Sequence, residues 1–154
     1  MAIIFSRVEE RLIHGQIAFM WSNALQFDAF IVIDDMTAKD EVLKTVMEFA
    51  TPRNKRLFVF TEKEAIEMIP KIKLDVFLIA KSPMVFLNLY NNGILIEQLN
   101  IGSIHYNKGK KEIYKTVFVS EEEIEALKTL IEKGVVCEIQ KLPTEKKIDI
   151  QRLL

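Results

Sequence analysis

Arg7, Glu9, Glu10, Arg11, His14, Gly15 and Gln16 fall in one short stretch near the start of the chain. Residues of these types suit phosphoryl chemistry. An imidazole has an unperturbed pKa of about 6.5, so at neutral pH one ring nitrogen keeps a free lone pair. Arginine offers a planar fork of donors that matches phosphate oxygens two at a time. A helix opening at Gly15 and Gln16 would add unpaired N–H groups and a partial positive charge, which favour an anion. Gly15 would also let the backbone approach closely. A neutral His14 set against Arg7, Arg11 and such a helix end is a candidate phosphoryl acceptor, with Glu10 as an orienting carboxylate. The same residues fit a plainer reading, in which His14 caps the helix and the arginines pair with Glu9 and Glu10. Spacing alone leaves both open.

Other residues qualify as candidates more weakly. Asp34 and Asp35 end a second apolar run and could orient His14 or hold Mg²⁺, or serve only as a helix cap and turn. Asp40 reads as a first-turn residue complementing a helix dipole. Lys81 follows a fourth apolar run and could meet an anion, with Ser82 as a cap. His105 sits among Lys108, Lys110 and Lys111 in an irregular stretch, Gly102–Glu112, that reads as a solvated basic loop or a surface for an acidic partner. Trp21 and Cys137 read as core.

These residues need a scaffold, and the apolar pattern supplies one. Strands are expected at 3–8, 29–34, 56–60, 76–80, 98–101, 115–119 and 135–141. Helices are expected at 15–25 and 38–50, and after Thr61, Ser82 and Ser120. Thr61 with Glu64 and Ser120 with Glu123 have the spacing of capping boxes, and Pro83 suits a first helical turn. The tail after Lys141 allows a short terminal helix. Strands that lack polar alternation are buried on both faces. The expected fold is therefore α/β, a single-domain open and mostly parallel sheet with helices on both faces. Ligands of such sheets bind at the carboxyl ends of strands, which is where His14 falls.

Composition narrows the function. With 21 basic and 22 acidic residues in 154, the net charge is −1, too little positive surplus for a general nucleic-acid binder. One cysteine excludes an internal disulfide and a cysteine-rich zinc site, and two histidines leave little for a structural metal. The apolar start meets Arg7, Glu9 and Arg11 too soon for a secretory signal. No run approaches the ~18 apolar residues of a membrane span. The expected place is the cytoplasm, with any membrane contact made through a partner.

The stretch Arg7–Ile17 (RVEERLIHGQI) resembles the R-[IV]-D-[DE]-R-L-I-H-G-Q-V signature of IIB subunits of the mannose/fructose/sorbose class of the sugar phosphotransferase system. The likeness continues at Trp21, Ile31–Asp35, Ala50-Thr51-Pro52, Leu99–Gly102 and Gly134–Pro143. It implies a phosphocarrier that takes a phosphoryl group on Nδ1 of His14 from a phosphohistidine of a IIA partner. The group would pass to a sugar entering through membrane subunits IIC and IID, with no metal or cofactor. It also implies a neighbour holding Nε2, for which an aspartate near the second strand is the expectation. Glu9 departs from the family's usual Asp, and Lys39 from its usual Asn. The rival reading is a phosphate-binding signalling or interaction module without sugar phosphorylation. A homo-oligomer is possible, and the sugar is not legible.

Overall fold

The structure, a computed structural model, describes residues 2–154. Among the described residues there are nine strands and six helices, most of them following the apolar pattern. The strands are β1 (Ile3–Glu9), β2 (Ala29–Ile33), β3 (Arg56–Phe60), β4 (Val76–Ala80), β5 (Gln98–Ser103), β6 (Lys111–Tyr114), β7 (Val117–Val119), β8 (Val136–Ile139) and β9 (Ile148–Asp149). The helices are α1 (Gly15–Ala24), α2 (Asp35–Ala38), α3 (Glu41–Ala50), α4 (Glu62–Met68), α5 (Pro83–Asn91) and α6 (Glu121–Glu132), with short 3-10 turns at Ile69–Lys71 and Ile150–Leu153. Both capping boxes form, and Ser82 caps α5 as expected.

Seven strands make one sheet in the order β3-β2-β4-β1-β5-β8-β9. All pairs are parallel except β8 with β9. Strand alternation sorts the core onto the two faces. Phe30, Val32, Phe77 and Ile79 join Trp21 and Met47, from α1 and α3, on one face. Ala29, Ile31, Ile33, Leu78 and Ala80 join Phe86, Leu89, Leu127 and Leu130, from α5 and α6, on the other. Chain connections leave β1 and β5 toward opposite edges, so the crevice between the carboxyl ends of these strands is the sheet's switch point.

Three local expectations change. The helix expected over 38–50 starts at Glu41, because the Asp40 side chain accepts from the N–H groups of Val42 and Leu43; Asp40 is the cap rather than a first-turn residue. Asp34 caps the separate short α2. The expected strand at 115–119 is one arm of a β6–β7 hairpin outside the main sheet, and the tail adds β9. β6 and β9 are short elements with little apolar signal of their own.

Candidate functional site

The site begins with the alternation of β1. Phe5, Arg7 and Glu9 share one face of the strand, the face that α1 covers, so two charged side chains enter the sheet beneath that helix. Arg7 is 1% exposed and Glu9 3%. Burying an arginine is costly unless its donors find partners; here both Nη atoms do, and only Nε is buried without one. Arg7 Nη1 donates to Asn100 Oδ1, and at 2.7 Å to the Gln140 carbonyl. Its Nη2 donates to Glu9 Oε2 at 2.9 Å and to the Lys141 carbonyl at 2.8 Å. The guanidinium carbon lies 4.9 Å from the centre of the Trp21 ring, whose Nε1 donates to the same Lys141 carbonyl at 3.3 Å. Burial lowers the Arg7 pKa, and Glu9 opposes that shift.

Gly102 makes this arrangement possible. To reach the carbonyls at the end of β8, Arg7 must cross β5, and it does so over Gly102. A Cβ there would overlap Glu9 Oε2 and the Arg7 guanidinium. The Asn-Ile-Gly run at 100–102 thus has a physical purpose: Asn100 receives the guanidinium and Gly102 leaves room for it.

Beyond β1 the chain turns tightly, with the Leu12 N–H donating to the Glu9 carbonyl at 2.9 Å. Leu12 has a φ of +59°, a left-handed conformation costing a branched residue roughly 1 kcal/mol or more. Burial of Leu12 (3% exposed) and Ile13 (1%) among the α1-face core offsets that strain and pins the loop. His14 then lands at the N-cap of α1, and Gly15 takes a φ of +42° that glycine tolerates.

The His14 side chain does not cap its helix; its Nε2 lies 3.3 Å from Glu9 Oε1. A carboxylate only accepts, so in the neutral ring this contact goes with a proton on Nε2 and a lone pair on Nδ1. Arg7, Glu9 and His14 form a chain of charge-assisted bonds from the core to a ring that is one-fifth exposed. His14 opens into a cleft of about 280 Å³ lined by Glu9, Arg11, Ile17, Ser103, His105 and Lys141. Arg11 is exposed on its rim. The cleft lies at the switch point between β1 and β5.

Several sequence expectations move. Arg7, expected to face phosphate, lies buried with both Nη atoms engaged and is linked to His14 only through Glu9. Asp34 and Asp35 were expected beside the first loop, one of them holding the imidazole. Strand β4 stands between β1 and β2, and both carboxylates are engaged elsewhere. Asp34 accepts from the Thr37 N–H and hydroxyl and pairs with Lys81 at 3.5 Å, and Asp35 accepts from the Glu62 N–H. The partner of Nε2 is Glu9. Lys81 is likewise away from the cleft, and Glu10 points to His105 rather than His14. Gly15 and Gln16 open α1 as expected, and no side chain among the described residues caps its first turn. They also line a neighbouring hollow of about 690 Å³ together with the exposed Phe19 and Phe49. Ser103, His105 and Lys141 join the cleft without a strong signal in the sequence. Glu9 had one: a carboxylate two residues from an arginine, inside an apolar strand.

Among the described residues no group of three or more His, Cys, Asp or Glu side chains is placed to hold a metal ion. No helix is long and apolar enough to cross a membrane.

Residues 3–154 match the family described as the sorbose-subfamily IIB component of the phosphotransferase system. The chain is 34% identical over 154 residues to the N-acetylgalactosamine-specific phosphotransferase enzyme IIB component 2 of Escherichia coli strain K12, covering 99% of this chain and 98% of that protein. It is 31% identical to the mannose-specific EIIAB component of the same strain, covering all of this chain but 49% of that longer protein. Its fold superimposes on the solved IIBSor domain of the sorbose permease from Klebsiella pneumoniae with a TM-score of 0.94, at 28% identity and covering 99% and 95% of the two chains.

Proposed function

The chain belongs to the sorbose-subfamily IIB components of the sugar phosphotransferase system, and on that premise we propose that Nδ1 of His14 is its phosphoryl-carrying atom. As a member of that family it is a phosphotransferase, a phosphocarrier in sugar phosphorylation. The observation that supports the atomic reading is the Glu9–His14 contact, which favours a proton on Nε2 and Nδ1 as nucleophile.

The chemistry follows from that proton. The Nδ1 lone pair attacks phosphorus in line. The P–N bond to the donor imidazole breaks, and its electron pair stays on the donor nitrogen. The His14 ring gains positive charge as its bond to phosphorus forms, and Glu9 lies against the proton at Nε2 to balance it. In the second transfer a sugar hydroxyl oxygen bonds to phosphorus and gives its proton to solvent, while the P–Nδ1 bond breaks with its electron pair left on Nδ1; a ring still protonated at Nε2 is the better leaving group. Arg11 serves the equatorial oxygens, helped by N–H groups of Gly15 and Gln16 at the start of α1. Arg7 is a positioning residue that keeps Glu9 aimed. Catalysis is mainly placement and charge balance, and no metal or cofactor takes part.

Residues 1–154 act in this reading as one IIB domain. The donor is a IIA phosphohistidine protein, a pairing supported by the EIIAB arrangement of the mannose relative. The acceptor is a sugar presented by IIC and IID at the cytoplasmic face of the membrane. Phe19 and Phe49, 55% and 88% exposed beside Gly15 and Gln16, offer apolar ground for a docking protein next to His14. The test is incubation with phosphoenolpyruvate, the general phosphocarriers and IIA. The native chain is expected to gain one acid-labile, base-stable phosphoryl group, and His14→Ala to gain none while staying folded. Labelling of the folded His14→Ala chain would reject the assignment.

A further inference from the structure

The cleft contains a second imidazole that the mechanism above does not use. His105 follows β5, and its Nδ1 lies 2.8 Å from Glu10 Oε1, which also accepts from the His105 backbone N–H at 3.3 Å. Glu10 in turn is tied to the core of the fold. Its own N–H donates to the Ser103 carbonyl at 3.3 Å, and its other oxygen lies 3.9 Å from Lys110 Nζ, which pairs with Glu123 at 3.2 Å. A basic loop that reads from sequence as solvated is thus fastened by one carboxylate at the point where it passes the cleft. The His105 side chain lines that cleft with His14, Arg11, Ser103 and Lys141.

We propose that His105 is a second phosphoryl-binding side chain, with Glu10 as its positioning residue, so that the group on His14 is held between Arg11 and the Nε2–H of His105. The proposal rests on His14 being the carrier. Glu10 accepts only, so Nδ1 of His105 bears a proton and Nε2 is the atom left for the cleft. A ring with protons on both nitrogens then has an anion on each side, Glu10 and the phosphoryl group. Charged groups around it are Glu9, Glu10, Arg11, His14, Lys110 and Lys141. Glu9 is occupied by Arg7 and His14, and Glu10 by His105 itself, so the open side of the cleft is basic. No bond to His105 is made or broken in the transfer; it donates one hydrogen bond before and after.

The experiment uses the intact chain and phosphoramidate, a small donor that needs no partner protein, with ¹⁵N spectra of both imidazoles recorded before and after. Phosphorylation of His14 is expected to move the His105 Nε2 resonance to that of a hydrogen-bond donor. His105→Gln is expected to slow phosphoryl gain about tenfold, the worth of one charge-assisted hydrogen bond. Glu10→Gln is expected to weaken that change in the His105 resonance without unfolding the chain. Phosphoryl on His14 with an unmoved His105 resonance and an unchanged rate in His105→Gln would overturn this proposal alone. Phosphoryl found on His105 would overturn it too. A native chain left unlabelled at His14 would overturn the carrier assignment and this proposal together.

Discussion

At the scale of single residues, the two arginines of the motif separate into different tasks. Arg7 is buried and shares its forks among two carbonyls, an amide and Glu9; Arg11 is exposed at the cleft. Substituting each should therefore affect different measurements. Arg7→Lys loses the fork and several buried partners, and is expected to lower unfolding stability by roughly 3 kcal/mol in urea titrations. Arg11→Lys is expected to leave the same titration within about 0.5 kcal/mol and to slow phosphoryl transfer from IIA at least tenfold. Glu9→Gln keeps the shape of the chain of bonds and removes its charge. Its kcat for accepting phosphoryl from IIA should fall on the order of 100-fold with KM little changed, because the missing charge matters as the bond to phosphorus forms. A Glu9→Gln chain that transfers at the native rate would remove Glu9 from the mechanism.

Elements explain why some of this was legible in the sequence and some was not. The loop with His14 at the end of β1 follows from an apolar run, a charged cluster and a helical period. The capping boxes at Thr61 and Ser120 are local, so reading them needs only neighbouring residues. The partner of Nε2 depended on strand order. Asp34 and Asp35 are at the right end of a strand, but β4 inserts between β2 and β1, and no local pattern reports that insertion. Glu9 was within reach of alternation: it shares the α1 face with Phe5 and Arg7. Gly102 shows how a distant element serves the site, since its missing side chain is the space that the Arg7–Glu9 pair fills. Gly102→Ala is expected to cost about 2–3 kcal/mol in stability and to displace Glu9, with transfer falling alongside. A chain carrying Gly102→Ala with native stability would mean that the pair can move aside.

The whole molecule is a rigid holder for one small cleft. Core on both faces of the sheet clamps β1, and Leu12 and Ile13 extend that clamp into the loop. Cys137 on β8 reports on the rigidity. Burial, with smaller contributions from Asp149 and Glu138, pushes its thiol from 9.0 to about 12. The folded chain thus keeps a proton that the unfolded chain releases near pH 9, so this contribution is complete below pH 9 and is lost as pH rises from 9 toward 12. Urea unfolding at successive pH values should show a steeper alkaline loss for the native chain than for Cys137→Ala. Native Cys137 should also resist alkylation until the chain unfolds.

The most direct test of the account is the ¹⁵N spectrum of the His14 ring after phosphorylation by IIA, with ³¹P coupling identifying the bonded nitrogen. The prediction is phosphorus on Nδ1 and a proton on Nε2 that loses its hydrogen bond in Glu9→Gln. Phosphorus on Nε2, or a ring indifferent to Glu9, would contradict it.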